Sequence, residues 1–306
     1  MRSVLLLAVA FSLLMACSSQ NQQPGTFIAS NIIGGTVSTA SFQSRNGIVA
    51  LVINRPRNVQ DLCAGVLIHS QIVLTAAHCL DRTFGDIESI AVVFSLNINT
   101  AQPEDVRFGT DGFPHPDFSP SSPDNSQTNN DIALLKLDRD APENFQLTQL
   151  AAVGTTLQRG MKLTEAGFGD TRLTDDPARR QYGVLKQLED VDVISVSPDQ
   201  KEVYLRENSK GSCYGDSGGP AFIESSDGSL TLAAINSRGS ELSTCLGTGI
   251  YTNVISYLDW IEQSKNTLLN PDSAPVVTPT PPETPAQPDP EEPERPIQPG
   301  FSNLAN

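Results

Sequence analysis

GDSGGP, at residues 215–220, places one serine among three glycines. Glycines beside a nucleophile make chemical sense, because backbone N–H groups must point at the oxyanion that forms after attack and a Cβ atom would crowd the substrate. Ser217 is therefore a candidate nucleophile, although a polar surface turn would have the same composition. The pattern G-x-S-x-G within this stretch also fits the nucleophile elbow of an α/β-hydrolase.

The position of the histidines along the chain decides between these arrangements. In an α/β-hydrolase the histidine base follows the serine, whereas every histidine of this chain precedes Ser217. The α/β-hydrolase arrangement is therefore excluded. The order that remains is histidine, aspartate, serine, so a base and an aspartate are expected upstream of Ser217.

Two upstream motifs supply these residues. His78 lies in LTAAHC after an apolar run, and Asp131 lies in NNDIALLKL directly before one. Together with GDSGGP, and in this order, the motifs resemble those of the trypsin/chymotrypsin-like serine proteases. The resemblance extends over about residues 32–263.

This resemblance implies a role for each motif residue. His78 would take the proton of Ser217 as general base, and Asp131 would hold its tautomer and stabilise the imidazolium. The N–H groups of Gly215 and Ser217 would form the oxyanion hole. The chain is thus predicted to be a serine endopeptidase that acts on proteins or peptides through an acyl-enzyme, with no cofactor. The alternative is a non-catalytic homologue that acts as a protein-binding module or a surface lipoprotein scaffold.

Short β-rich runs broken by turn residues predict an all-β protein. The runs fall into two sets, at about 45–145 and 150–253, and the spacing becomes helical at about 254–268. The family resemblance implies two packed six-stranded antiparallel β-barrels of the chymotrypsin-like fold with a C-terminal α-helix. The predicted protease domain spans residues 32–264.

The start of the chain is typical of a targeting segment rather than of a fold. A basic residue and an apolar run predict a signal peptide over residues 1–16. The sequence LMAC looks like a bacterial lipobox, in which Cys17 carries a lipid; the alternative is an ordinary secretory signal with an incidental cysteine. Residues 17–31 would form a lipid-anchored tether or propeptide. We expect an exported protein, anchored in the bacterial cell envelope at the outer membrane or released outside the cell.

The cysteines fit export to an oxidising compartment. Cys17 apart, four cysteines remain, an even number suited to disulfides. The resemblance implies the pairs Cys63–Cys79 and Cys213–Cys245. No cysteine or histidine spacing points to zinc, so no metal site is predicted.

The motif NIIGG resembles the activation site of the family. Cleavage between Asn31 and Ile32 would free an apolar N-terminus whose ammonium pairs with the Asp216 carboxylate, because a buried carboxylate beside the oxyanion hole needs a cationic partner. Asn31 departs from the Lys or Arg of trypsinogen-like chains, so the activating protease is unknown. Since no cysteine lies in 18–31, the cleavage would also separate the protease from a lipid on Cys17.

The expected substrate pocket departs from that of trypsin. The position six before the nucleophile is aspartate in trypsin-like enzymes and selects Lys or Arg, but here it is glycine. An uncharged base predicts an apolar or aromatic residue at P1. Arg238 is expected beside the extended substrate, where it would favour an acidic neighbour, and Glu241 at the pocket mouth. The implied pocket residues are Gly211, Ser212, Ser237, Gly239 and Gly249.

Acidic residues outnumber basic ones 35 to 20, which gives a net charge of -15. This charge argues against nucleic acid and anionic membrane surfaces as electrostatic partners. We expect a monomer that contacts a membrane only through the lipid on Cys17. Residues 271–306 are rich in Pro, Asp and Glu and are predicted to form a disordered tail.

Overall fold

The computed structural model describes residues 32–83, 85–120, 129–171, 182–241 and 245–271. The predicted signal peptide, the tether with its lipidation site, and the predicted tail beyond its first residue lie outside these residues. No helix in the described ranges is long and apolar enough to cross a membrane.

Antiparallel strands dominate the described part of the chain. The elements in chain order are β1 (Thr36–Val37), α1 (Ala40–Arg45), β2 (Ile48–Arg55), β3 (Val59–His69), β4 (Ile72–Thr75), α2 (Ala77–Leu80), β5 (Ser89–Val93), β6 (Val106–Pro114), β7 (Ala133–Leu137), β8 (Lys162–Gly167), β9 (Lys186–Val196), β10 (Glu202–Glu207), β11 (Pro220–Glu224), β12 (Leu230–Gly239), β13 (Gly247–Asn253) and α3 (Leu258–Leu269).

The first barrel closes through the strand order β2, β3, β4, β7, β6, β5. Strands β2 and β4 carry apolar runs because both of their faces are buried. In β2, Val49 and Leu51 face the interior of this barrel, whereas Ile48 and Ala50 belong to a cluster shared with the second barrel. Because alternate residues of a strand point to opposite faces, a strand that is buried on both faces requires a continuous apolar run.

The second barrel consists of β8 to β13. The strands pair in the order β9, β10, β13, β12, β11, β8, and pairing between β8 and β9 closes the ring. The short strand β1 adds to the outside of β9. Val203, Leu205 and Tyr251 are among the residues that fill the interior of this barrel.

The predicted fold class is confirmed: two six-stranded antiparallel barrels are followed by a C-terminal α-helix. The regular helix begins at Leu258 rather than near residue 254, because Val254–Tyr257 form a 3₁₀ turn, in which the Asn253 side chain accepts the Ile255 N–H. Ile261 and Leu268 of α3 are buried in the cluster between the barrels.

We expect the packing of Phe168 between the two barrels to stabilise the fold strongly. It is fully buried in the shared cluster. Phe168→Ala should lower the free energy of unfolding by about 3–5 kcal/mol, because it removes a large buried ring and leaves a cavity. Urea denaturation with the disulfides intact measures this loss. The control is Val153→Ala, at a side chain that is 85% exposed, and equal losses in the two variants would contradict the assignment.

Candidate active site

The pairing of β4 with β7 brings His78 close to Asp131. His78 lies on α2, directly after β4, and Asp131 lies just before β7; Thr75 and Ala133 are register partners between these strands. The His78 ring Nδ1 lies 2.7 Å from Asp131 Oδ2, and the His78 backbone N–H donates to Oδ1 at 2.9 Å. Both carboxylate oxygens therefore hold the same histidine.

The Asp131 carboxylate is buried but well supplied with donors. Its side chain is 2% exposed. The Ser237 hydroxyl, from β12, donates to Oδ2 at 2.7 Å. Burial alone would raise the pKa of Asp131, but the nearby His78 and the hydrogen bonds from His78 and Ser237 hold this pKa below its usual value. Asp131 is therefore an ionised acceptor for the His78 ring.

The His78 imidazole has the environment of a general base. Burial disfavours its charged form, but the Asp131 charge and hydrogen bond outweigh this effect and raise the pKa of His78 above 6.5. When Nδ1–H donates to Asp131, the lone pair of the neutral ring lies on Nε2. That nitrogen can accept a proton.

Ser217 lies in the loop between β10 and β11, which packs against the first barrel. The Ser217 carbonyl accepts the Ala64 N–H at 2.7 Å. Gly218 has φ +78°, and a Cβ atom there would overlap the Thr75 hydroxyl and the Ala64 carbonyl. Glycine is therefore required where the loop meets β3 and β4.

Ser217 and His78 line the same two depressions, a cleft of about 610 Å³ and a cavity of about 390 Å³. No direct hydrogen bond joins Ser217 Oγ to His78 Nε2 among the described residues. Such bonds are often long without substrate and shorten in the complex. The two groups share one accessible space, as a nucleophile and its base require.

The backbone N–H groups of Gly215 and Ser217 are available for an oxyanion. Within the described ranges, neither N–H donates to a protein acceptor. Gly215 has φ +99°, and a Cβ atom there would lie 3.0 Å from Gly169 Cα and from Leu62 Cδ2. The loop conformation that leaves these two donors unpaired therefore favours glycine.

Asp216 is 2% exposed and points away from the cleft. Its oxygens accept the N–H groups of Gly169 at 2.7 Å and Cys213 at 2.9 Å. Burial raises its pKa to about 7, and no cation pairs with it in the described part of the chain. Ile32 is 1% exposed, so the first described residue is already inside the protein.

Three of the five predicted pocket residues line the 390 Å³ cavity: Ser212, Ser237 and Gly239. Glu241 also lines it, as expected for the pocket mouth. Ser217 lies on the same cavity, so a side chain that enters it would place its own backbone beside the nucleophile.

The other two predicted pocket residues, Gly211 and Gly249, face a carboxyl group instead. A Cβ atom at Gly211 would overlap the Glu207 side chain, and one at Gly249 would lie 2.5 Å from Glu207 Oε1. Glu207 itself lines the cavity. The expectation of an uncharged pocket base is therefore wrong, because Glu207 occupies the space that the two glycines leave.

Sequence reasoning missed Glu207 because it lies on β10 rather than in the motif around the nucleophile. The signal was present in EVYLRE, where Val203, Leu205 and Glu207 occupy alternate positions. Residues two apart on a strand share a face, so an acid that continues an inward apolar series is expected to be buried. The pairing of Leu205 with Gly249 then sets where Glu207 lies.

Arg238 does not offer a free cation to the substrate. Its guanidinium donates to both oxygens of Glu202, at 3.0 and 3.2 Å, and Glu202 is 2% exposed. The expectation that Arg238 would favour an acidic residue in the substrate is therefore wrong, because the Arg238 charge is already paired with the buried Glu202.

Both implied disulfides, Cys63–Cys79 and Cys213–Cys245, are present. The first lies beside His78, and donor atoms of His78, Cys63 and Cys79 fall within 4.8 Å of one another. Since the two sulfurs are bonded to each other, they are not thiolates, and thiolate is the form of cysteine that binds zinc.

Comparison with known proteins agrees with this geometry. A family model described as Trypsin matches residues 32–261. Phenoloxidase-activating factor 1 of Holotrichia diomphalia is 31% identical over 233 residues, which cover 66% of this chain and 61% of that protein. Kallikrein-11 of Homo sapiens is 29% identical over 220 residues, which cover 66% and 71%.

A solved structure described as HL collagenase is similar in fold. It covers 77% of this chain and 99% of that chain, with a TM-score of 0.61 and 24% sequence identity. The chain spans less than two thirds of the length of the phenoloxidase-activating factor.

We expect His78 to have a higher pKa than His115. Asp131 raises the pKa of His78 above 6.5, whereas burial lowers the pKa of His115 below it. NMR titration of the imidazole resonances in a Ser217→Ala background, which avoids self-digestion, measures both values. Asp131→Asn should lower the pKa of His78 and leave His115 unchanged. A His78 midpoint below that of His115 in the parent protein would contradict the assigned pairing.

Proposed function

Because the chain belongs to the trypsin family of serine proteases, we propose that it is an endopeptidase with Ser217, His78 and Asp131 as its catalytic residues. The observation that carries the proposal is the His78–Asp131 pair, held by two hydrogen bonds and facing the space that Ser217 shares. Protein or peptide substrates follow from the family.

The proposed reaction is acyl transfer in two steps. Ser217 Oγ attacks the scissile carbonyl while His78 Nε2 takes its proton, and the oxyanion accepts hydrogen bonds from the Gly215 and Ser217 N–H groups. The C–N bond then breaks as His78 returns the proton to the leaving amine. Water, deprotonated by the same imidazole, then attacks the acyl carbon, and the Ser217 Oγ–acyl bond breaks as His78 returns the proton to Ser217 Oγ. Asp131 orients the ring and stabilises its charged form throughout.

We also propose activation by cleavage between Asn31 and Ile32. Ile32 has φ +45°, a left-handed conformation that is costly for a β-branched residue. Its neighbour Ile33 pairs with Gly211 in both directions at 2.9 Å. Cleavage would release Ile32 from this conformation and supply an ammonium group for the buried Asp216, which supports the oxyanion loop.

We also propose from the sequence where the protein lies in the cell. A signal peptide over 1–16, a lipid on Cys17 of a bacterial lipoprotein, and release of a monomeric protease from residues 17–31 upon activation form one consistent scheme. The acidic tail at 271–306 would act as a spacer. The residue preferred at P1 cannot be inferred from Gly211 alone, because the Glu207 side chain lies against this glycine.

Ser217 should be the residue that reacts with a fluorophosphonate probe. Ser217→Ala should abolish both the adduct and peptide hydrolysis, and Asp131→Asn should lower kcat by about 10⁴, the loss typical of such a triad. Mass mapping of the labelled peptide and steady-state kinetics measure these effects. Ser226→Ala, at an exposed serine in the β11–β12 turn, is the matched control. An adduct elsewhere, or hydrolysis by Ser217→Ala, would contradict the assignment.

Cleavage before Ile32 should accelerate probe labelling. We expect a rise of about 10² or more, comparable to the rate effect of one well-positioned oxyanion donor, because the new ammonium would hold Asp216 and thereby fix the loop that carries these donors. Intact mass spectrometry of chains before and after cleavage identifies the labelled species. Asp216→Asn should remove most of the gain, because the new ammonium then lacks its carboxylate. Equal labelling of cut and uncut chains would show that activation does not depend on this bond.

A further inference from the structure

We propose that Glu207 determines substrate preference by binding a lysine or arginine side chain at P1. The inference rests on the proposed endopeptidase function and adds its substrate class. The residue belongs to β10, outside the motif around the nucleophile, and the position that carries aspartate in trypsin-like enzymes is Gly211 here.

The location of Glu207 supports this role. Its side chain lies against Gly211 and Gly249, and it lines the cavity that Ser217 also lines. Glu207 is 2% exposed, so its carboxyl group is shielded by the pocket from bulk water. A P1 side chain that extends from the nucleophile into this cavity would meet that group.

The Glu207 carboxyl group is held by hydrogen bonds from Ser212 and Tyr251. Ser212 Oγ lies 3.0 and 3.1 Å from its two oxygens, and the Tyr251 hydroxyl lies 3.0 Å from Oε1. Each hydroxyl has one proton to donate, whereas a carboxylate has about four acceptor positions. The Ser212 backbone N–H also donates to Glu207, so an incoming ammonium or guanidinium would compete with these neutral donors for the carboxylate.

A second buried acid, Glu165, lies beside Glu207. Glu165 is 1% exposed, and burial together with the neighbouring Glu207 charge raises its pKa well above the usual value. It interacts electrostatically with Glu207 and Asp216. Across the described ranges, no Lys, Arg or His forms an ion pair with these three carboxyl groups. A P1 cation would supply positive charge next to Glu207.

Other P1 classes fit this cavity less well. An apolar side chain would leave the charged form of the buried Glu207 without an oppositely charged partner, which is costly. An acidic side chain would be repelled by Glu207 at the base and Glu241 at the mouth. The charges along the cavity therefore favour a cation over either alternative.

The preference should also depend on pH in a defined direction. Burial raises the pKa of Glu207 to about 7, and Glu165, Asp216 and Tyr251 are the titratable groups around it. Because Glu207 gains its charge as pH rises through this value, the ratio of Lys to Phe cleavage should increase between pH 6 and 8. The titration of His78 affects both substrates alike and cancels in the ratio.

The test uses the chain cut before Ile32, with active sites counted by fluorophosphonate labelling. Peptides that differ only at P1, with Lys, Arg, Phe, Leu or Asp, give the kcat/KM ratios. We expect Lys and Arg to be cleaved best, and Glu207→Gln to lower the Lys-to-Phe ratio about 100-fold while labelling of Ser217 persists. Glu207→Asp, which keeps the charge, should lower it less. Glu224→Gln, at an exposed acid on β11, is the control with an unchanged ratio.

Several outcomes would overturn the proposal. These are a preference of the parent enzyme for Phe or Leu, an unchanged ratio in Glu207→Gln, or a loss of Lys preference in Glu241→Gln instead. If no Ser217 can be labelled, the endopeptidase proposal fails separately. Benzamidine, an arginine-like cation, then tests the pocket without catalysis: it should bind Ser217→Ala about 100-fold more tightly than the Ser217→Ala/Glu207→Gln double variant. Equal binding would refute the role of Glu207.

Discussion

One backbone hydrogen bond, from the Ala64 N–H of the first barrel to the Ser217 carbonyl, joins the nucleophile loop to the other half of the site. The barrels contribute different groups to the proposed active site: the first supplies His78 and Asp131, and the second supplies Ser217 and the proposed oxyanion donors. Their relative position therefore decides whether the groups meet. Gly218 permits the contact, and the bond from Ser237 to Asp131 fixes the opposite side of the same junction.

The residues of the proposed triad could be located from sequence because each lies in a short local motif whose chemistry restricts its residues, and the structure places His78 and Asp131 in contact. Glu207 and Arg238 could not be placed in this way. Their environments depend on pairings between strands far apart in the chain, β10 with β13 and the contact of β12 with Glu202. Gly211 indicated the absence of one carboxylate, but no local pattern stated that a neighbouring strand would supply another. The fold class could be predicted from the sequence because short apolar runs bounded by turn residues are typical of buried β-strands.

The pocket and the oxyanion loop share a common electrostatic background. Glu165, Glu207 and Asp216 are all buried within the second barrel, where an isolated charge is costly. The site would receive its compensating cations from outside the folded domain, one from a new chain terminus and one from the substrate. Such an arrangement links recognition to activation, because each cation reduces the repulsion that the remaining acids experience.

The raised pKa of Asp216 also has a consequence for folding. The pKa of this carboxyl is about 7 in the folded chain against an ordinary 3.8, so between these values the folded state binds more protons than the unfolded state. Free energy of unfolding then falls as pH rises through that window. An ammonium partner would return the pKa of Asp216 toward the unfolded value and remove this dependence. Neutral conditions would thus weaken the fold of the uncut precursor selectively, and proteolytic maturation would act as a proton-linked stabilising event.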